Sequence, residues 1–160
     1  MTTPILSKSG LSELARQGIL MPKESMLEVR HQKKSLFIGI PREISFQETR
    51  IALVPDSVSL LVANGHRVVI ETKAGKDANF TDTDFSEAGA QIAYSPQEVY
   101  KADLILKVAA PSAEELDFLQ EKQTLISILQ IAMQPKDFIS RISAKKLTAL
   151  AYEYIRDETE

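Results

Sequence analysis

Short apolar runs recur along this chain at a spacing that leaves room for a helix between each pair. They fall at residues 36–40, 67–71, 104–108, 124–131 and 147–152, with a briefer run at 91–94. Several are apolar at consecutive positions, so both faces of the strand seek burial. That pattern belongs to internal strands of a parallel sheet, covered on both sides. A parallel pair needs a crossover long enough to carry a helix. Residues 56–63, closed by Asn64-Gly65, residues 81–88, ended by Gly89, and residues 135–145 have helical spacing. Ser95-Pro96-Gln97-Glu98 and Ser112-Ala113-Glu114-Glu115 both read as capping boxes that open helices. The alternation predicts an α/β fold: a doubly wound, mostly parallel sheet with helices on both faces, of Rossmann-like or flavodoxin-like type.

At 160 residues the chain can build one domain with a substantial core and some decoration. Residues 1–35 read as a partly helical extension, with helical candidates at 11–20 and 24–34. Residues 36–155 read as the domain, and residues 156–160 as a frayed tail. The formal charge of −3 gives no basis for a nucleic-acid or membrane-surface partner. Cysteine is absent, which removes disulfide and thiolate chemistry, and two histidines make a histidine-rich metal site implausible. No apolar run approaches the roughly 20 residues that span a bilayer. No signal-peptide core is seen, so a cytoplasmic location is the default.

The stretch from Leu36 to Pro55 concentrates the candidate chemistry. Pro41 stops the first strand, because it has no N–H to give to a ladder. A polar loop with Arg42, Glu43, Glu48 and Arg50 follows, and Pro55 opens the next helix. In an open α/β sheet, ligands bind outside the carboxyl ends of the strands. Arg50 is the leading candidate, since its planar fork of donors matches a carboxylate. The competing reading is a surface arginine paired to Glu48 or Glu43. His66, in Asn64-Gly65-His66, reads as turn structure, and His31 as a solvated residue of the extension. Asp82, Asp84, Glu114, Glu115 and Asp117 fall in first helical turns, where anions complement the helix dipole.

The same stretch carries a family likeness. Ile38-Gly39-Ile40-Pro41-Arg42-Glu43, then Glu48-Thr49-Arg50-Ile51-Ala52 and Pro55, resembles the N-terminal signature of alanine dehydrogenases. That signature also opens the alpha subunit of nicotinamide nucleotide transhydrogenases. With two further matches, the likeness covers about residues 36–153. It implies that Arg50 holds a substrate carboxylate. It also implies a small keto-acid or amino-acid substrate, NAD as cofactor of the full-length enzyme, and a homo-oligomer.

The further matches depart from the dehydrogenase pattern. Leu106-Lys107-Val108-Ala109-Ala110-Pro111 resembles Leu-Lys-Val-Lys-Glu-Pro, with Ala109 where the substrate-contacting lysine stands. Lys107 shares a strand face with Ala109 and either replaces that cation or is a structural lysine at the strand end. Leu129-Gln130-Ile131-Ala132 resembles Leu-His-Leu-Ala, with Gln130 where the proton-exchanging histidine stands. An amide can orient a carbonyl but exchanges no proton near neutral pH. Arg50, Lys107 and Gln130 are therefore the candidate substrate-binding residues, with no confident acid or base.

No G-x-G-x-x-G occurs, so the chain lacks a dinucleotide fingerprint of its own. In the resembled families a nucleotide-binding domain follows at about Glu160, and this chain without it is expected to be inactive. Three functions stay open: the substrate-side domain of an alanine dehydrogenase-like oxidoreductase, the N-terminal domain of a transhydrogenase alpha subunit, and a silent assembly or sensing relative.

Overall fold

A computed structural model describes residues 35–156. The helical candidates at 11–20 and 24–34, and most of the tail at 156–160, lie outside the described residues.

Six parallel strands form one sheet: β1 (Phe37–Ile40), β2 (Arg67–Glu71), β3 (Gln91–Ala93), β4 (Leu104–Leu106), β5 (Thr124–Ser127) and β6 (Thr148–Ala151). Their order across the sheet is β3-β2-β1-β4-β5-β6. Five helices connect them in turn: α1 (Pro55–Ala63), α2 (Asp82–Glu87), α3 (Pro96–Val99), α4 (Ala113–Phe118) and α5 (Phe138–Ala144). The doubly wound α/β expectation holds, with every strand pairing parallel.

Period-two alternation divides the core into two layers. Ile38, Ile40, Val68 and Ile70 pack with Val58 of α1 and Phe85 of α2 on one face. Val69, Ile105 and Leu125 pack with Val99 of α3, Leu116 of α4, and Phe138 and Ile142 of α5 on the other. Burial of such a side chain stabilises by roughly 1.5–3 kcal/mol. Helices thus cover both faces, as the uninterrupted apolar strands require.

β1 is the hinge of this arrangement. The chain winds outward from it through β2 and β3, then α3 carries it back to lay β4 on the other side. Gly39 makes that crossing possible. A Cβ there would stand 2.5 Å from the Val99 carbonyl oxygen and 2.9 Å from the Ala102 Cβ. The crevice between the carboxyl ends of β1 and β4 is the switch point, where open α/β sheets bind their ligands.

Local signals held unevenly. The Ser112 capping box forms, with Glu115 N–H donating to Ser112 Oγ at 3.2 Å and Ser112 N–H to Glu115 Oε2 at 2.8 Å. The Ser95 box does not: α3 is one turn long and the Ser95 side chain makes no capping bond. A box that sequence reading passed over does form, between Thr81 and Asp84, where Asp takes the usual Glu position. β5 stops at Ser127, four residues before the apolar run ends, because Gln130 turns left-handed and Ile131–Met133 coils into a 3₁₀ turn. α5 starts at Phe138 after a turn at Pro135. His66 works as turn structure, its Nδ1 accepting the Leu36 amide at 3.2 Å.

Candidate functional site at the switch point

β1 and β4 are tied together at their carboxyl ends by Glu43. Its Oε1 accepts the Val108 amide at 2.6 Å, and its Oε2 accepts the Ala109 amide at 3.4 Å. Lys107, leaving β4, lies beneath this contact. Its Nζ stands 3.2 Å from Glu43 Oε2 and 2.7 Å from Glu115 Oε1. The Lys107 side chain is fully buried, as are nearly all of Glu43 and Glu115. The Tyr100 hydroxyl donates to Glu115 Oε1 at 3.0 Å. Burial, with the Glu115 carboxylate beside it, raises the Tyr100 hydroxyl far above its ordinary range, so it stays a donor.

Above this network opens a cleft of about 420 Å³. The β1–α1 loop supplies Ser45, Phe46, Glu48 and Arg50. The β4–α4 loop supplies Ala109, Ala110, Pro111 and Ser112, and the β5–α5 loop supplies Ile128, Gln130 and Gln134. A second cavity, of about 410 Å³, has Arg50 in its wall as well, with Leu106, Lys107 and Tyr152. Another, of about 450 Å³ beside Lys73, Lys76 and Asp82, holds none of the motif residues.

Arg50 is two-thirds exposed and locked by a neighbour in the same loop. Its Nε donates to Glu48 Oε1 at 2.8 Å and its Nη2 to Glu48 Oε2 at 2.7 Å. The Arg50 backbone N–H adds a bond to the same carboxylate at 3.0 Å. The hydrogen bond from Arg50 holds the Glu48 carboxyl below its ordinary value, and Glu48 raises the guanidinium in return. Glu48 takes the side-on edge of the guanidinium, Nε and one proton of Nη2. The end-on edge, Nη1 with the second proton of Nη2, has the geometry of a second carboxylate receptor.

Gln130 is exposed in the same cleft, at φ 44° and ψ 50°. The backbone N–H groups of Leu129 and Gln130 both donate to Glu153 Oε1, at 3.0 and 2.9 Å. Tyr152, just before Glu153, donates from its hydroxyl to the Val108 carbonyl at 3.0 Å. Of the sequence-predicted residues, the structure brings Arg50, Ala109 and Gln130 to one cleft. It places Lys107 below, with its ammonium between two carboxylates.

Sequence reading missed the joint role of Glu43, Glu115 and Glu153. Glu43 stood inside the signature and Glu115 was legible as a capping residue. Contacts across 65, 8 and 23 residues leave no periodic trace. Among the described residues no group of three or more His, Cys, Asp or Glu side chains is placed to hold a metal ion. Nor is any helix among them long and apolar enough to cross a membrane.

Fold and site together define a doubly wound α/β domain whose cleft at the switch point presents one oriented guanidinium. Its strand order, its signature loop and its Arg50 position fit one family in particular. The chain belongs to that family, described as alanine dehydrogenase/PNT, N-terminal domain, whose model matches residues 39–160. It is 37% identical over 122 residues to an alanine dehydrogenase of Bacillus subtilis, covering 76% of this chain and 32% of the relative. An alanine dehydrogenase of Staphylococcus saprophyticus is 36% identical over 121 residues, with the same shares. Among solved structures, an L-alanine dehydrogenase superposes with a TM-score of 0.73 at 38% identity, covering 76% of this chain and 34% of that one. A transhydrogenase from Sinorhizobium meliloti superposes with a TM-score of 0.65 at 32% identity, with 76% and 35% covered. The chain thus spans about a third of the length of the relatives it matches.

Proposed function

We propose that this chain is the substrate side of an alanine dehydrogenase-like oxidoreductase, in which Arg50 receives the carboxylate of a small keto acid or amino acid. The observation that carries the reading is the Arg50–Glu48 fork in a cleft at the switch point. The guanidinium is oriented in advance by Glu48, and Arg50 lines the cleft with no hydrogen bond to Nη1 among the described residues. A pre-oriented arginine loses less freedom when it binds, so more of each charge-assisted bond appears as affinity.

In this reading pyruvate sits with its carboxylate on Arg50 and its keto oxygen toward the Gln130 amide. Gln130 orients and polarises that carbonyl without delivering a proton. Ala109 leaves open the space of the family's second cation. A nucleotide-binding domain would bring NAD(H) to the cleft and the cofactor would supply the hydride chemistry, while Arg50 and Gln130 hold the substrate carboxylate and carbonyl in place. Without an acid at position 130 the proton for the substrate comes from another group or from water, so turnover is slow relative to a histidine-bearing site. A homo-oligomer in the cytoplasm fits the same reading.

The test uses a chain carrying both this domain and a nucleotide-binding domain. Pyruvate-dependent NADH oxidation in the presence of ammonium, above a control without pyruvate, is the expected result. Its absence, while NADH still binds, would end the dehydrogenase reading.

Ala109 and Gln130 favour a second reading, an N-terminal domain of a transhydrogenase alpha subunit. Both side chains lack the charge and the titrating group that amino-acid chemistry uses. Hydride exchange between the two nicotinamide nucleotides with no keto acid present is the discriminating measurement.

A further inference from the structure

Two of the three loops that wall the Arg50 cleft, β4–α4 and β5–α5, are each held by a carboxylate reaching across from another strand's end. On the β4 side it is Glu43, on Val108 and Ala109. On the β5 side it is Glu153, which follows β6 and gathers the Leu129 and Gln130 amides onto one oxygen. Gln134 completes the second clamp, its Nε2 donating to the Leu129 carbonyl at 2.8 Å. Both the N–H and the C=O of Leu129 are thereby spoken for by side chains.

The conformation held in this way is one that glutamine does not choose. At φ 44° Gln130 is left-handed, a region that non-glycine residues enter at a cost and that persists only when surroundings impose it. Such positions cluster where side-chain placement matters to function. In an extended strand β5 would carry Gln130 onward along the sheet edge. The left-handed corner instead turns the chain at Gln130 and leaves its side chain in the cleft wall that includes Arg50.

We infer that Glu153 is a positioning residue of the cleft, fixing the left-handed corner at Gln130 and so setting where the Gln130 side-chain amide stands relative to Arg50. The inference rests on the reading of the cleft as a carboxylate site. Desolvation pushes the Glu153 carboxyl up, and the amides of Gln130, Glu153 and Leu129 outweigh it and hold it below its ordinary value. The clamp is therefore charged at neutral pH, which strengthens each N–H···O bond. Glu153 is exposed, so its replacement removes the clamp without opening the core.

The test pairs amide NMR with a pyruvate titration of the 160-residue chain. In Glu153→Gln the Leu129 and Gln130 amide protons are expected to move upfield, as a charged acceptor is lost, while amides of β1 and β2 stay in place. Pyruvate affinity is expected to fall about three- to tenfold, the loss of part of one oriented hydrogen bond. Glu153→Asp is expected to recover part of both signals, and Glu121→Gln, on a distant exposed loop, to change neither. Unmoved Gln130 and Leu129 amides in Glu153→Gln would overturn the inference, as would wild-type affinity in that variant. A wild-type chain that binds no pyruvate overturns the carboxylate reading itself and the positioning role with it.

Discussion

Glu43 and Val108 are 65 residues apart in the chain and 2.6 Å apart as carboxylate and amide. That bond closes the crevice between β1 and β4 from below, and the same carboxylate faces the Lys107 ammonium. Position 43 thus does two jobs, holding a loop backbone and balancing a buried cation.

Lys107 is expected to act on stability first. Lys107→Met keeps the length and apolar body of the side chain but leaves Glu43 and Glu115 buried together without their cation. Breaking a buried ion pair in this way costs about 3–5 kcal/mol. Urea unfolding of the variant should show a loss of that size; a loss under 1 kcal/mol would mean the two carboxylates do not depend on Lys107.

Gly39 is required by packing rather than by backbone conformation. Gly39→Ala drives a Cβ to 2.5 Å from the Val99 carbonyl oxygen and 3.0 Å from Ile105 Cδ1. Overpacking of this kind costs about 1–3 kcal/mol. Thermal unfolding should report it, whereas Gly65→Ala meets no atom within 4 Å and strains only its left-handed φ of 87°.

Gln130→Gly separates stability from binding. Relief of the left-handed strain, about 1–2 kcal/mol, exceeds the added entropy of glycine in the unfolded chain, about 0.5–1 kcal/mol. The variant should unfold at slightly higher urea concentration while binding pyruvate more weakly. A destabilised variant would show that the corner is not strained.

The Arg50–Glu48 pair gives a pH signature. Glu48 is depressed below its ordinary value of 4.5, so its contribution is fully present above that value. It is lost only as pH falls through the lower value of the folded chain. Carbon NMR of the Glu48 carboxyl should titrate below 4.5, and in Arg50→Ala the midpoint should return toward it. An unshifted midpoint in the intact chain would mean the fork is not formed in solution.

The fold was legible because its signals are local. Both faces of strands such as 67–71 are apolar, Gly89 stops a helix with φ 92°, and Ser112 with Glu115 writes a capping box three residues apart. Boundaries were less legible where tertiary contacts override the run: Ile128, Leu129 and Ile131 continue the β5 pattern, yet Glu153 and Gln134 hold a corner there. The Ser95 box failed because the Glu98 N–H donates to the Ser95 carbonyl at 3.2 Å and not to its hydroxyl. In the site, Arg50 was readable from its motif. The surroundings of Lys107 were not, since alternation gives the face of a residue but not the carboxylates that Glu43 and Glu115 bring to it.

The most direct measurement is a pyruvate titration of the 160-residue chain, followed by the amides around the cleft, with Arg50→Ala alongside. Saturable binding is expected, shifting the Arg50, Ala109 and Gln130 amides and falling at least about tenfold in Arg50→Ala, the loss of a charge-assisted pair of bonds. Equal binding by the variant, or shifts confined to residues outside the cleft, would contradict it.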